Sequence, residues 1–136
     1  MELRTLVKKA LDTIGSQRVY DECPACSEQG MDSAIEEFER LGELEGMTEL
    51  GPCTACILRL VLEEHPEVPR IIRDTVYGPT TVYMLQDSVL ELGEGGGYAA
   101  SREGVDELLK VLIDEGAIDD ELAQSIRRLL GMPTGS

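Results

Sequence analysis

The sequence predicts an all-α protein, a single domain of about six helices with a metal site formed by four cysteines. Two observations lead to this prediction. Apolar residues recur at intervals of three and four along most of the chain, which is typical of amphipathic helices. All four cysteines fall in two CxxC pairs, Cys23/Cys26 and Cys53/Cys56. Two such pairs are a common donor set for a tetrahedral metal, so the metal should link the loop 15–30 to the start of the third helix.

The predicted helices begin with a stripe of Leu, Val, Ala and Ile that ends before Gly15, and a second begins at a Ser33/Glu36 capping box. A third helix follows Gly51-Pro52, which interrupts the helical pattern, and it carries Cys53 and Cys56 in its first turns. The complete set of helices is 2–14, 32–41, 53–64, 80–92, 102–115 and 119–130.

The segment 66–92 has two interpretations. The run 80–83 has high β propensity, and 77–80 could turn a hairpin. Val82, Leu85, Val89 and Leu92 nevertheless keep helical spacing over a longer stretch, so a helix over 80–92 is favoured.

The domain organisation follows from a glycine-rich stretch. Residues 1–92 form a metal-binding helical region, 93–100 a glycine-rich loop, and 101–131 a helical hairpin, together expected to be one compact domain. The loop lacks the Lys-Ser/Thr of a phosphate-binding loop, so a hinge or plain connection is expected. Ser101 and Asp119 are the expected caps of the hairpin helices.

The charge of the chain restricts its partners. The net charge of −15 over 136 residues argues against nucleic-acid backbones and anionic membranes. Such a surface chiefly keeps a protein soluble, and it also suits a basic protein partner. Neither a signal peptide nor a long apolar run is evident, which predicts a cytoplasmic protein. The absence of Asn and the excess of nine Arg over three Lys fit a thermophile.

Zinc is the favoured cofactor, held by Cys23, Cys26, Cys53 and Cys56, and a 4Fe-4S cluster is the alternative. The pairs depart from the usual zinc knuckle, because Ser27 and Ile57 replace the glycine and 26 residues separate the pairs. A redox dithiol or a disulfide stays open, since the cytosol of hyperthermophiles is rich in disulfides.

The expected function is that of a non-catalytic interaction module or complex subunit with a structural zinc, and a homo-oligomer is one form that it could take. A metal saturated by four thiolates cannot activate water, and the sequence singles out no catalytic residue. His65, the single histidine, is expected to cap the third helix. An iron–sulfur electron-transfer protein or redox-complex subunit is the alternative.

Overall fold

The computed structural model describes residues 1–14, 16–23, 26, 28–76 and 78–132, except for the side chain of Glu28. Gly15, Ser27 and Tyr77, which the sequence predictions also used, lie outside these residues. A five-stranded antiparallel sheet lies between two layers of helices. The all-α prediction is therefore wrong, and the chain has an α/β architecture.

Along the chain, three helices, a strand and a fourth helix precede four consecutive strands, and two helices follow them. The helices are α1 (Leu3–Thr13), α2 (Gln17–Glu22), α3 (Glu28–Leu41), α4 (Pro52–Glu63), α5 (Val105–Asp114) and α6 (Asp120–Leu129), with a 3₁₀ turn at Arg102–Gly104. The strands are β1 (Met47–Leu50), β2 (Arg70–Thr75), β3 (Gly78–Met84), β4 (Ser88–Gly93) and β5 (Gly96–Ser101). Their spatial order is β1-β5-β4-β3-β2, so β2 to β5 form a meander and β1 pairs with β5.

The helix predicted over 80–92 is wrong, because this segment forms most of β3 and β4. Thr81 pairs with Leu92 and Val82 with Glu91 across an antiparallel ladder. Both faces of this part of the sheet are covered by helices, so apolar residues occupy consecutive positions rather than alternate ones. Some of those positions match helical spacing as well, which explains the error.

The other predicted helices correspond to observed ones. Segments 2–14, 53–64, 102–115 and 119–130 match α1, α4, α5 and α6, and 32–41 lies within the longer α3. The start predicted at the Ser33/Glu36 capping box is wrong, because α3 begins at Glu28. Each of these helices has one apolar face, and that face is buried against the sheet or a neighbouring helix.

The two helical layers bury different faces of the same strands. The amino-terminal layer, formed by α1, α3 and α4 with α2 attached, covers the face that carries Tyr83, Leu90, Leu92 and Ala99. The carboxy-terminal layer, formed by α5 and α6, covers the opposite face with Val82, Met84, Val89 and Ala100. Adjacent strand residues thus belong to different cores, as the twofold alternation of side chains requires.

The glycine-rich segment 93–100 lies in the hairpin between β4 and β5. Gly93 pairs with Gly96 across the turn, and Gly96 has a φ of +123° that L side chains rarely adopt. The glycines therefore serve the hairpin turn and the close approach of β5 to its neighbours. No helix among the described residues is long and apolar enough to cross a membrane.

Candidate functional site

The four cysteines lie where α2 and α4 approach each other. Cys23 follows the last residue of α2, and the backbone N–H of Cys26 donates to the carbonyl of Cys23 at 2.9 Å. Cys53 and Cys56 occupy the first two turns of α4, which begins with Pro52 at a position that suits proline. Two short segments distant in sequence thus present two sulfurs each.

The cysteines form two disulfides rather than a metal centre. Cys23 bonds to Cys56 and Cys26 to Cys53, with Cα–Cα distances of 6.0 and 5.0 Å. The bonds are nested, because the 27-residue separation of Cys26 and Cys53 lies within the 33-residue separation of Cys23 and Cys56. We refer to the two bonds together as the disulfide brace. A disulfide consumes the thiolates that zinc or a cluster would need.

Both cofactor predictions are therefore wrong. The pairing of Cys23, Cys26, Cys53 and Cys56 overturns zinc as well as the 4Fe-4S alternative. Within the part of the chain that the structure describes, no group of three or more His, Cys, Asp or Glu residues is placed to hold a metal ion.

The brace is part of the hydrophobic core of the amino-terminal layer. Cys23, Cys26 and Cys53 are between 1% and 5% exposed, and the partly buried Cys56 packs against the same cluster. On the surface beside it, Arg18 of α2 forms ion pairs with Glu63 and Glu64 at the end of α4. These exposed ion pairs contribute little stability, so the covalent bonds dominate this junction.

One of the two disulfides borders an open cavity. Cys23 and Cys56 line a depression of about 530 Å³ together with Pro52, Arg59 and Leu60, while Cys26 and Cys53 are not among its lining residues. The two bonds therefore differ in how readily a reagent can approach them.

Glu37 of α3 is a structural residue of this site that sequence reasoning missed. Its carboxylate accepts hydrogen bonds from the N–H of Gly51 at 2.8 Å and from the hydroxyl of Thr54 at 2.7 Å. Gly51 is the N-cap of α4 and has no side chain to cap the helix, so Glu37 supplies this function from another helix. The glutamate-rich sequence predicts only an exposed face, because this contact exists only in the tertiary structure.

The carboxyl end of α4 is capped by Arg70 instead of His65. The guanidinium of Arg70 donates to the carbonyls of Leu62, His65 and Val68. His65 Nδ1 lies 2.8 Å from Glu67 Oε1, and the pKa of Glu67 is lowered by a backbone hydrogen bond and by His65. The expectation that the imidazole caps the helix is therefore wrong.

A second cavity, of about 350 Å³, lies on the other face of the sheet, where the carboxy-terminal layer ends. Tyr98 donates to Glu115 at 2.9 Å, and that bond, together with burial, raises the pKa of Tyr98 to about 12. Partial burial and the charge of Glu115 raise the pKa of Glu91, although a hydrogen bond from Thr80 opposes the shift. These polar groups satisfy one another within the protein, so they mark no binding site of their own.

Comparison of the chain with protein-family models, with curated proteins and with solved structures finds no significant match.

Proposed function

We propose that this protein is a non-catalytic interaction module whose scaffold is held together by the disulfide brace. The observation that carries the proposal is the place of the brace. Two nested bonds join the end of α2 to the first two turns of α4, inside the core that supports one face of the sheet. Cross-links in such a position stabilise the folded scaffold.

The surface that the scaffold presents is the edge strand β2. It pairs with β3 alone among the described strands, and its outer edge lies beside exposed apolar side chains. Ile72 is 68% exposed and Val76, just beyond the strand, is 87% exposed. An exposed edge strand with apolar side chains is suited to pairing with an extended segment of another polypeptide. The strongly negative chain should not bind phosphate backbones there.

Peptide mapping of the unreduced protein tests the scaffold. We expect two linked peptides, one joining Cys23 to Cys56 and one joining Cys26 to Cys53, with no metal released when the protein is denatured. Free thiols at these positions, or a stoichiometric metal ion, would contradict the disulfide brace.

Selection of extended peptides from a displayed library tests the interaction function. We expect binders whose addition shifts backbone amide resonances in 70–76, because strand addition places the peptide backbone against β2. The Ile72→Pro variant should lose binding, since proline removes an edge donor, whereas Glu49→Pro, whose N–H lies on the outer side of β1, is a control at the opposite edge. Binding that survives Ile72→Pro would contradict β2 as the docking strand.

A second candidate function is thiol–disulfide exchange at Cys23–Cys56, favoured by the cavity that this bond borders. The thiolate of a dithiol reductant would attack the sulfur of Cys56, which breaks the disulfide and releases Cys23 as a thiolate. The second thiol of the reductant would then resolve the mixed disulfide, so that the protein gains two electrons and the reductant becomes a disulfide.

A dithiol reductant that lacks its second cysteine separates this candidate from the first. It should be trapped as an adduct on Cys56, with Cys26–Cys53 still intact. The absence of an adduct, or an adduct on Cys26 or Cys53, would contradict exchange at Cys23–Cys56 and leave the disulfides with a structural role alone.

A further inference from the structure

We propose that the partner at the β2 edge is a second copy of this chain, paired antiparallel about a twofold axis at Ile72. This inference rests on the proposed interaction function, and it specifies the partner and the register. It is carried by the backbone geometry of β2, by the order of its side chains and by their exposure.

The backbone of β2 shows which of its groups face outward. The N–H of Met84 donates to the carbonyl of Pro69, which makes this opposed pair a hydrogen-bonded one. Hydrogen-bonded and non-hydrogen-bonded pairs alternate along an antiparallel ladder. In the register of β2 with β3, Arg70, Ile72 and Asp74 are therefore non-hydrogen-bonded toward β3, and their N–H and C=O groups point to the outer edge.

A twofold axis at Ile72 satisfies all of these outward groups. Ile72 then lies opposite Ile72 of the second copy, and Arg70 lies opposite Asp74 of the second copy. The three resulting pairs are all of the hydrogen-bonded type, and each exchanges two N–H···O=C bonds. The product is a continuous ten-stranded sheet made from two five-stranded ones.

The side chains favour the same register. The exposed Ile72 meets its symmetry mate, and an arginine meets an aspartate on either side of it, which is favourable for directly opposed residues. Arg70 uses Nε and Nη2 to cap α4, so in the dimer the contact with Asp74 of the second copy would be made by Nη1. An axis at Arg73 would instead place two arginines opposite each other, which is destabilising.

The charge of this edge differs in sign from the net charge of the chain. The strand carries Arg70, Arg73 and Asp74, whereas the whole chain has a net charge of −15. Two copies therefore repel over most of their surfaces and can approach where the local charge is positive or balanced. The β2 edge meets that requirement.

Sedimentation equilibrium of the oxidised full chain tests whether the dimer forms. We expect a monomer–dimer equilibrium in the wild type, and a dissociation constant about tenfold or more higher in Ile72→Lys, because that variant opposes two charges at the axis. Leu129→Lys introduces the same charge at a similarly exposed apolar residue of α6, away from β2, and should change dimerisation much less. A wild type that is monomeric at every concentration, or an equal loss in both variants, would overturn the proposal.

Cross-linking through an introduced cysteine tests the register. Ile72→Cys should give a covalent dimer linked through residue 72, because opposed residues in a hydrogen-bonded pair lie within the range of a disulfide. Arg73→Cys lies opposite Ile71 and should cross-link far less. Equal cross-linking of both variants would overturn the twofold axis at Ile72.

Failure of this inference is distinguishable from failure of the interaction function. A monomeric protein that still binds displayed peptides at 70–76 would overturn the second copy as partner and leave the docking strand in place. A monomeric protein that binds no peptide there would overturn both.

Discussion

The two helical layers cover the same sheet but are built in different ways. The carboxy-terminal layer is a short helical hairpin whose residues are close in sequence, and its second helix, α6, begins and ends on local signals. The amino-terminal layer assembles four helices from residues 3–63, with a strand between α3 and α4. It is closed by the disulfide brace and by a capping carboxylate from another helix.

The two layers differ in the contacts that cap their helices. In α6, the side chain of Asp119 accepts from the N–H of Leu122 at 2.8 Å, acidic residues occupy the first turn and arginines the last. In α4 the cap is Gly51, which has no side chain to offer, and the carboxylate of Glu37 from α3 takes its place. The start of α6 is therefore specified locally, whereas the start of α4 depends on contacts between distant segments.

Removal of the disulfide brace should give the largest effect. Loops of 33 and 27 residues correspond to about 3–4 kcal/mol for either bond alone, and to less for the second bond because the two are nested. We expect replacement of all four cysteines by alanine to lower the free energy of unfolding by about 5 kcal/mol. Urea denaturation of this variant and of the oxidised wild type measures the change, and equal midpoints would show that the layer is held without its cross-links.

Leu108→Ala tests whether the carboxy-terminal layer is independent of the brace. Leu108 of α5 is fully buried, so its truncation should cost about 2–5 kcal/mol. We expect the same cost in the oxidised wild type and in the cysteine-free variant, because distant sites without shared partners are additive. A cost that differs between the two backgrounds by more than about 0.5 kcal/mol would show that the layers are coupled through the sheet.

The contrast between the layers also explains what the sequence could predict. The hairpin helices and the cap at Asp119 are predicted from local signals, and the structure confirms them. The predicted cap at Ser101 is wrong, because its side chain makes no capping hydrogen bond and Gly104 is the N-cap of α5. The strands were missed because a sheet covered on both faces gives no polar alternation at Val82–Met84. The pairing of thiols was not decidable from spacing, since two CxxC pairs suit a metal and a disulfide pair alike.

The contacts that shape α4 were beyond a reading of the sequence for a physical reason. Glu37 and Glu36 are adjacent in a run of glutamates, and only the packing of α3 against α4 distinguishes their roles. Similarly, the guanidinium of Arg70 caps the end of α4, where the sequence predicts His65 as the cap. Tertiary contacts thus determine which of several chemically similar side chains caps α4.

Removal of one helix cap from each layer should have a smaller effect on stability, and it compares the local cap of α6 with the tertiary cap of α4. Asp119→Ala removes a local cap and should cost about 1 kcal/mol. Glu37→Ala leaves the N–H of Gly51 and the hydroxyl of Thr54 without their acceptor in a partly buried place, so we expect a larger cost of about 2 kcal/mol. Thermal unfolding of both variants measures the difference, and a smaller cost for Glu37→Ala would show that α4 does not depend on α3 for its cap.

The smallest expected effect lies at the cavity where the carboxy-terminal layer ends. Burial raises the pKa of Glu91 above its ordinary value of 4.5, and the negative charge of Glu115 adds to the shift. The folded state therefore holds this proton more tightly than the unfolded state does, and the contribution of Glu91 to stability falls as the pH rises from 4.5 through the raised pKa. Glu91→Gln keeps an oxygen acceptor for the hydroxyl of Thr80 but cannot ionise, so it should be slightly more stable than the wild type at neutral pH.

Denaturation of Glu91→Gln and of the wild type as a function of pH measures this effect. We expect the stability difference to diminish toward pH 4.5 and below, where Glu91 is protonated in both states of the wild type. Glu94→Gln, in the turn beside the same cavity, removes the same formal charge and is the control for a general reduction of net charge. If both variants gain the same stability, the gain comes from the reduction of the −15 net charge. If only Glu91→Gln is more stable, the gain comes from removal of a partly buried carboxylate.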